Sequence, residues 1–524
     1  MTDLPNQPIR MTHRQILVVL TGLMLGLFLA ALDQTIVATA LPTIVGEFGG
    51  LDHLSWVVTA YLLASTVTAP LYGKISDLYG RKIVFQTAIG LFLIGSVLCG
   101  VSQNMAQLIS FRGIQGLGAG GLFVMAFTII GDVVSPRERG RYQGYFGAVF
   151  AVASIAGPLL GGWLVDNLTW RWVFYINLPV GLVALLVTGT VLNIPFHRQE
   201  HRIDYPGAGL LVGGVSALLL VTVWGGREYE WGSPLIIGLA TLGLVLVGLF
   251  LWWESRTDEP ILPLRLFKDR TFALTSAAGF VVGLAMFGAI IFLPLFLQIV
   301  VGASATNSGL LLLPMMAGII TASVGSGRLI SRTGRYKIYP VVGSMLASVA
   351  LFLLSTMGVG TTLPLASVYM LILGAGLGLV MQVLVLAVQN SVERRDLGVA
   401  TSASTFFRSL GGSFGTALFG AIFTSQVAVN ISRNLPGSDL GGRDLTSSPG
   451  VIDQLPDTVR VGVIQAFADA TGTVFLAAVP FAIAAFVVIL LLPELPLREH
   501  SHVGPALGEG VDGMVADEPA ETQA

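Results

Sequence analysis

Three ionisable residues lie deep within long apolar segments of this 524-residue chain, which otherwise carry almost no charge. Asp33 and Arg112 lie in segments near the N-terminus, and Arg408 lies in a segment near the C-terminus. An ionisable group at membrane depth costs about 2.5 to 3.5 kcal/mol on insertion scales, so such groups are normally retained for function. A carboxyl group in a partly dry cavity can bind and release a proton, and a nearby guanidinium influences when it does so.

The composition excludes a soluble globule. Hydrophobic residues make up 54% of the chain and charged residues 11%, and the mean hydropathy is +0.80. The 64 glycines suit membrane helices, which associate through close backbone contact at small residues. Cys99, the single cysteine, lies in an apolar segment, which excludes an internal disulfide and a thiolate metal cluster.

About fourteen apolar segments have the ~20 residues that are needed to cross a bilayer. The first begins near Ile16 and lacks a small-residue cleavage site, so we interpret it as a span and not as a signal peptide. If both termini are cytoplasmic, most of the 28 basic residues fall in cytoplasmic loops, as the positive-inside rule requires. The predicted spans are 16–40, 55–72, 84–103, 106–130, 143–164, 172–193, 205–224, 234–253, 270–298, 306–327, 338–357, 363–389, 399–424 and 470–492.

An internal repeat predicts the architecture. Residues 73–81 are echoed by 327–335, and residues 116–120 by 374–378, at an offset of about 255 residues. The sequence therefore predicts an all-α membrane protein in which two six-helix bundles flank two inserted helices, with a substrate site between the bundles near mid-bilayer. The predicted parts are a cytoplasmic N-terminus (1–15), an N-terminal bundle (16–193), inserted helices with cytoplasmic linkers (194–269), a C-terminal bundle (270–492) with a long outer loop (425–469), and a disordered cytoplasmic tail (493–524).

Asp33 and Arg112 are predicted to lie at similar depth. Asp33 precedes Leu41, at the outer end of the first span, by about eight residues, or ~12 Å. Arg112 lies about seven residues into the fourth span, or ~10 Å from the same side. The two side chains can therefore meet. One hypothesis makes Asp33 the proton-coupling acid and Arg112 its modulator, and the other is a permanently charged pair that only holds helices together.

Five motifs, in the right order, resemble those of the major facilitator superfamily, specifically its fourteen-span drug:proton antiporter branch of the EmrB and QacA kind. The loop after the second span resembles the superfamily's cytoplasmic gate motif in Gly73, Asp77, Gly80, Arg81 and Lys82. The other four motifs lie at residues 32–42, 108–118, 157–162 and 170–179.

The resemblance implies a proton-driven exporter of small amphiphilic compounds in a bacterial cytoplasmic membrane. It implies no nucleotide, metal or flavin cofactor, and no nucleic-acid partner. The residues alone indicate only a coupled carrier, so a carrier of a dedicated metabolite or lipid is the alternative. An enzyme or an ATP-driven pump is disfavoured, because the sequence has neither a phosphate-binding Gly-x-x-x-x-Gly-Lys-Ser/Thr loop nor a metal-ligand spacing.

The gate motif predicts a latch. Gly73 and Gly80 allow tight turns, and Asp77 can accept a charge-assisted hydrogen bond from Arg81. The resemblance makes Asp132, at the end of the fourth span, a further partner that locks the outward-facing form. The alternative is that the basic residues only fix topology. Ser331 replaces the aspartate in the second half, so a weaker latch is expected there.

The fifth-span motif, associated with export in the resembling branch, contains Gly157, Pro158, Gly161 and Gly162. Two glycines one turn apart allow a neighbouring helix to approach closely, and the proline removes a backbone hydrogen bond and permits a bend. The resemblance assigns this motif to the interface that controls inward leakage. Helix packing alone is the other interpretation.

Arg408 has two interpretations as well, either a cavity wall that receives an anionic or hydrogen-bonding group, or a partner of a carbonyl at a helix break near Gly411 and Gly412.

Spans nine to thirteen contain no deep acid, which disfavours divalent cations as substrates and suits neutral, zwitterionic, weakly anionic or singly charged amphiphiles. The long outer loop caps the vestibule, contacts a periplasmic partner, or is solvated without a specific role. Further cavity candidates are Gln34, Thr35, Tyr61, Gln115, Met286, Phe287, Gln298, Gln382, Gln389 and Phe407.

Overall fold

The structure is a computed structural model that describes residues 13–48, 54–192, 204–226, 228–303, 305–434 and 456–497. These residues form helices without β-strands. The first nine helices are α1 (His13–Phe48), α2 (Leu54–Tyr79), α3 (Arg81–Val101), α4 (Met105–Val133), α5 (Pro136–Asn167), α6 (Trp172–Tyr175), α7 (Asn177–Val191), α8 (Tyr205–Trp224) and α9 (Pro234–Glu254). They are followed by α10 (Arg270–Ile299), α11 (Ala305–Leu311), α12 (Leu313–Thr333), α13 (Ile338–Ser355), α14 (Leu363–Ser391), α15 (Leu397–Asn434) and α16 (Asp457–Leu490).

Thirteen helical segments of the described part are long and apolar enough to cross a membrane. The remaining long helix, α2, packs between α4 and α15 and is not among the thirteen. Two predicted spans are each divided into two helices, at Ile176 and at Leu312. In both cases a proline, Pro179 or Pro314, lies in the first turn of the second helix, where its missing N–H removes no helical hydrogen bond.

The helices form two halves. Helices α1 to α7 enclose one buried apolar core around Leu27, Phe92 and Met125, and helices α10 to α16 enclose another around Leu351 and Phe419. The inserted helix α8 packs against α2 and α15, and α9 packs against α8. Most of the α9 span is exposed apolar surface, as expected for a helix that faces lipid.

We call the end of the bundle at which α2 meets α3 and α4 meets α5 the gate end. There the halves contact each other through α2 with α15 and through α5 with α12. Gly73 lies inside α2, and not at a turn as predicted. A Cβ atom at Gly73 would lie 2.6 Å from the Gly398 carbonyl oxygen and 2.7 Å from Cβ of Ser402. The glycine therefore permits close contact between the halves.

A glycine with a positive φ angle occupies the same position of the internal repeat in each half. Gly80, between α2 and α3, has φ +92°, and Gly334, at the repeated position after α12, has φ +72°. Both φ angles favour glycine, but ψ is 144° at Gly80 and −1° at Gly334, so the two halves reverse direction here through different glycine conformations.

The predicted outer loop 425–469 is shorter than expected, because α15 continues to Asn434 and α16 begins at Asp457. The chain has neither glycine nor proline between Gly420 and Pro436, and buried Val427 and Ile431 pack in the core of the second half. The part of the loop at 435–455, to which a vestibule cap or a partner contact was assigned, lies outside the described residues.

The predicted disordered tail begins too early. Its first residues, 493–497, are packed: the backbone N–H of Leu495 donates to the Tyr336 hydroxyl at 3.1 Å, and the Asn390 amide donates to the Pro496 carbonyl at 3.1 Å. Leu497 is buried. The remainder, 498–524, lies outside the described residues.

Replacing Gly80 by alanine should lower the free energy of unfolding by about 1 to 3 kcal/mol, because a Cβ atom disfavours a backbone with φ +92° and ψ 144°. Gly90→Ala is the matched control, since this helical glycine has no neighbour within 4 Å of an added Cβ. Thermal unfolding in detergent would compare the variants. Equal stability of the two would contradict the argument.

Candidate functional site

Asp33 and Arg112 meet inside the first half. Arg112 Nη1 donates to Asp33 Oδ2 at 2.6 Å. The other carboxylate oxygen accepts hydrogen bonds from Gln115 Nε2 at 2.8 Å and from Asn177 Nδ2 at 3.1 Å. All four side chains are buried. The buried carboxylate is thus held by donors from three side chains, which satisfy its hydrogen-bonding capacity away from water.

Five helices position this cluster. Asp33 comes from α1, Arg112 and Gln115 come from α4, and Asn177 is the first residue of α7. Asn177 also donates to Ser96 of α3 at 3.0 Å. Helix α2 completes the site, because Arg112 Nε donates to a carbonyl in its first turn. The cluster therefore lies within the first half and not in a cleft between the halves.

Tyr61 joins the buried cluster to accessible space. The Arg112 guanidinium lies 4.2 Å from the centroid of the Tyr61 ring, close enough for a cation–π interaction. The Tyr61 side chain also contacts Gln34, which is exposed although it follows buried Asp33. Of the cavity candidates in this region, Gln34 alone is exposed. Tyr61 and Gln115 belong to the buried cluster instead.

The sequence analysis missed Asn177 and Ser96. Asn177 lies within the motif at 170–179, but only the break between α6 and α7 turns its amide toward Asp33. A polar residue directly before a proline-containing apolar segment was the available signal.

The predicted latch residues come together at the gate end. Arg81 Nη2 lies 2.6 Å from Asp77 Oδ1, and Arg81 Nε donates to Asp132 Oδ2 at 2.7 Å. Arg81 also donates to Ser76. Gly398, in the first turn of α15, faces both Asp77 and Arg81. The ion pairs thus join α2, α3 and α4 beside the positive end of a helix dipole from the other half.

Lys82, the remaining charged residue of the gate motif, donates from Nζ to the Gly189 carbonyl at 2.6 Å, near the end of α7. In the second half, Ser331 donates to the Gly327 carbonyl, and Arg335 is exposed without an ion pair among the described residues. The second half therefore has no ionic latch in the described part.

A polar contact between the halves was not predicted. Gln389 of α14 is buried, donates to the Phe127 carbonyl at 2.9 Å and accepts from Gln143 at 3.1 Å. Buried Arg139 donates to the carbonyls of Gly131 and Gln389. Gln389 thus joins the halves instead of lining a cavity, and Arg139, which lies between the predicted spans 106–130 and 143–164, belongs to the same contact.

The fifth-span motif mainly faces α1 of its own half. Gly157 packs against Thr35, whose hydroxyl donates to the Ala153 carbonyl at 3.0 Å, and Gly161 packs against Thr39. Thr35 is thus at a helix contact and not in a cavity. Pro158 faces the other half, with its ring 3.6 Å from a Cβ placed at Gly309. Gly162 is half-buried.

The remaining cavity candidates lie in different places. Met286 lines a small apolar cavity inside the second half, and Phe407 packs against Phe267 at a ring distance of 5.9 Å. Gln382 borders a narrow gap between α5 and α12, and Gln298 is half-buried. The side chain of Phe287 lies outside the described residues.

The linker after α9 is attached to both halves at the gate end. Arg265 makes two hydrogen bonds to Asp396, between α14 and α15, at 2.9 and 2.7 Å. Lys74 of α2 lies 3.8 Å from Glu259. The inserted helices are therefore connected to the elements that close this end. The described part contains no group of three or more His, Cys, Asp or Glu side chains that could hold a metal.

Comparison with known proteins identifies a family. Residues 23–416 match the family model described as Major Facilitator Superfamily. An uncharacterized MFS-type transporter of Mycobacterium tuberculosis is 46% identical over 96% of this chain and 73% of its own length. The multidrug transporter protein MdtP of Bacillus subtilis is 40% identical over 92% of this chain and 88% of its own length.

Solved structures share the fold. The human organic anion transporter MFSD10 superposes with a TM-score of 0.63 at 15% identity, covering 90% of this chain and 99% of that chain. The proton:xylose symporter XylE superposes with a TM-score of 0.62 at 12% identity, covering 92% and 96%. At these identities the likeness concerns the fold alone.

Asp33→Asn should lower the free energy of unfolding by about 3 to 5 kcal/mol, because it leaves the buried Arg112 guanidinium without a counter-charge. Arg112→Gln should cost a similar amount, and the double variant less than the sum. Unfolding in detergent would measure the cycle, with Asp469→Asn as the exposed control. Strictly additive losses would show that the two charges do not stabilise each other.

Proposed function

Because the chain belongs to the Major Facilitator Superfamily, whose members are transporters rather than enzymes, we propose that it is a proton-coupled exporter of small amphiphilic compounds that works by alternating access. The observation that carries the proposal is the buried pair of Asp33 and Arg112. Ionisable groups at this depth in a membrane protein are normally retained for function. Here the Asp33 carboxylate, paired with Arg112, carries a negative charge that binding of a proton would neutralise.

Protonation of Asp33 supplies the coupling step. In the described conformation the carboxylate accepts three hydrogen bonds, one of them from the Arg112 guanidinium. A proton would remove the attraction to Arg112 and favour a conformation in which the two groups separate. Tyr61 lies between the cluster and exposed Gln34, and we assign the path of the proton to this side of the cluster. Because α1 also packs tightly against α5, a shift of α1 would reach the fifth-span motif.

The latch would stabilise one of the two alternating conformations. Arg81 and its carboxylate partners hold the gate end together in the described conformation, beside the contact of Gly73 with α15. We assign the gate end and both termini to the cytoplasm, count α2 as a fourteenth span, and place the chain in the fourteen-span drug:proton antiporter branch. In this assignment the closed gate end leaves the substrate cleft open to the outside.

The names of relatives support export and the substrate class. MdtP is named a multidrug transporter protein, and a second Bacillus subtilis relative, multidrug resistance protein 3, is 36% identical over 90% of this chain. We therefore propose a bacterial cytoplasmic membrane as the location and the proton gradient as the only energy source, without a cofactor. A carrier of a dedicated metabolite or lipid would instead accept one compound of a mixed substrate panel.

Asp33→Asn should abolish substrate accumulation driven by a pH gradient in proteoliposomes while leaving gradient-free exchange in place. Loss of the titratable group removes the coupling but not the alternation of access. Rates are normalised to folded protein, and Asp469→Asn serves as the control. The coupling role is wrong if Asp33→Asn still accumulates substrate against a gradient.

A disulfide across the gate end should stop transport. A Cβ atom at Gly140 would lie 3.4 Å from Cγ2 of Ile330, so the side chains of these two positions face each other across the halves and we choose them for a cysteine pair. Oxidation of the Gly140→Cys, Ile330→Cys double variant should arrest exchange, and reduction should restore it. Each single variant is the control, and the native Cys99 is buried. Continued transport by the oxidised protein would mean that this end does not open.

A further inference from the structure

Arg408 is a deep cation that has no protein partner among the described residues. It lies about three turns into α15, or ~16 Å along the helix from Leu397. Its guanidinium makes no ion pair, hydrogen bond or aromatic contact in the part of the chain that the structure describes. The side chain is half-buried.

Every other arginine that is buried inside the bundle has its charge compensated. Arg112 is paired with Asp33, and buried Arg139 donates to backbone carbonyls at the end of α4 and on α14. Arg81, at the gate end, contacts two carboxylates. Arg408 thus departs from the pattern that this chain otherwise follows for its enclosed cations.

The structure removes the alternative in which Arg408 caps a broken helix. Helix α15 is continuous through Gly411 and Gly412, so the turn that contains them frees no carbonyl oxygens. The two glycines serve another purpose, since Gly411 packs against the Phe280 carbonyl and Gly412 lies against Gly283 of α10. Their role is to bring α10 and α15 into backbone contact.

No acid with a described side chain on the helices around α15 forms an ion pair with Arg408: Asp77 on α2 and Asp132 on α4 pair with Arg81, and Asp469 on α16 is exposed. Helices α10 to α15 contain no Asp or Glu. An uncompensated guanidinium at membrane depth is costly, and it is normally retained where a ligand, an ion or water supplies the missing charge. An anionic ligand would satisfy it, whereas a cationic ligand would be repelled.

We propose that Arg408 binds the anionic head group, in particular a carboxylate, of an amphiphilic substrate, an inference that rests on the proposed transport function. A guanidinium can form two parallel hydrogen bonds to a carboxylate, and in a poorly solvated site this interaction is strong. Two half-buried aromatic residues on the same pair of helices, Phe280 and Phe414, have ring centroids 6.1 Å apart and supply apolar surface for the body of the substrate.

Binding without a gradient tests this inference separately from proton coupling. The protein in phosphatidylcholine nanodiscs is titrated with 11-(dansylamino)undecanoic acid and with its methyl ester, and the fluorescence of empty nanodiscs is subtracted. Wild-type protein should bind the acid at least about tenfold more tightly than the ester, because only the acid makes charge-assisted hydrogen bonds.

The variants assign the preference to one residue. Arg408→Gln should weaken binding of the acid by about tenfold or more and leave the ester unchanged. Arg408→Lys, which keeps the charge, should retain most of the preference and shows that the loss is not a folding defect. Arg335→Gln, at an exposed arginine between α12 and α13, is the matched control. Equal binding of acid and ester by wild type, or equal weakening of both by Arg408→Gln, would overturn the proposal.

Lipid phosphate is the other source of an anion at this depth. If phosphatidylglycerol in the nanodiscs weakens binding of the acid to wild type and to Arg408→Lys but not to Arg408→Gln, the site holds a lipid head group and the substrate assignment is wrong. Arg408-dependent binding of the acid together with gradient-driven transport by Asp33→Asn would leave this inference standing while the proposed coupling fails.

Discussion

Burial of the Asp33 carboxylate is the constraint on which the first half depends. A charge removed from water needs compensation from several directions, and here α1, α4 and α7 supply the acid and its three donors, while α2 and α3 hold those donors in place. Five helices thus converge on one carboxyl group. Because the donors come from separate helices, a change in the charge of Asp33 alters contacts across the whole half, which is the property that energy coupling requires.

Contact between the two halves depends on small and uncharged residues and not on a buried charge. At the gate end, Gly73, Gly140 and Gly144 allow backbones of different halves to touch, and the buried amides of Gln143 and Gln389 add hydrogen bonds across the same boundary. Small residues let two helices approach closely in lipid without adding a large hydrophobic contact that would keep the halves from separating. Such a boundary can stabilise one conformation and still let the two halves separate. Arg81 supplies an ionic contact beside it.

The two halves share a backbone plan but differ in charge. The positive φ angles of Gly80 and Gly334 repeat, whereas the acids Asp77 and Asp132 occur only in the first half, and Arg408 occurs only in the second. The first half also carries the Asp33–Arg112 ion pair, to which we assign proton binding. The second half carries Arg408, which is unpaired in the described part of the chain and to which we assign ligand binding. Division of the two tasks between the halves would let the substrate site vary without disturbing the coupling site.

The sequence by itself determined the membrane class, the helical fold, the two halves with their inserted pair, and the approach of Asp33 to Arg112, because hydropathy and the rise per residue of a helix fix depth. Depth does not fix the lateral neighbours of a side chain. Only the tertiary structure turned Asn177 toward Asp33, placed Gln389 at the boundary between the halves instead of in a cavity, and left Arg408 without a partner in the described part of the chain. These outcomes depend on helix rotation and on breaks such as that at Ile176, which are set by packing between segments distant in sequence and not by local pattern.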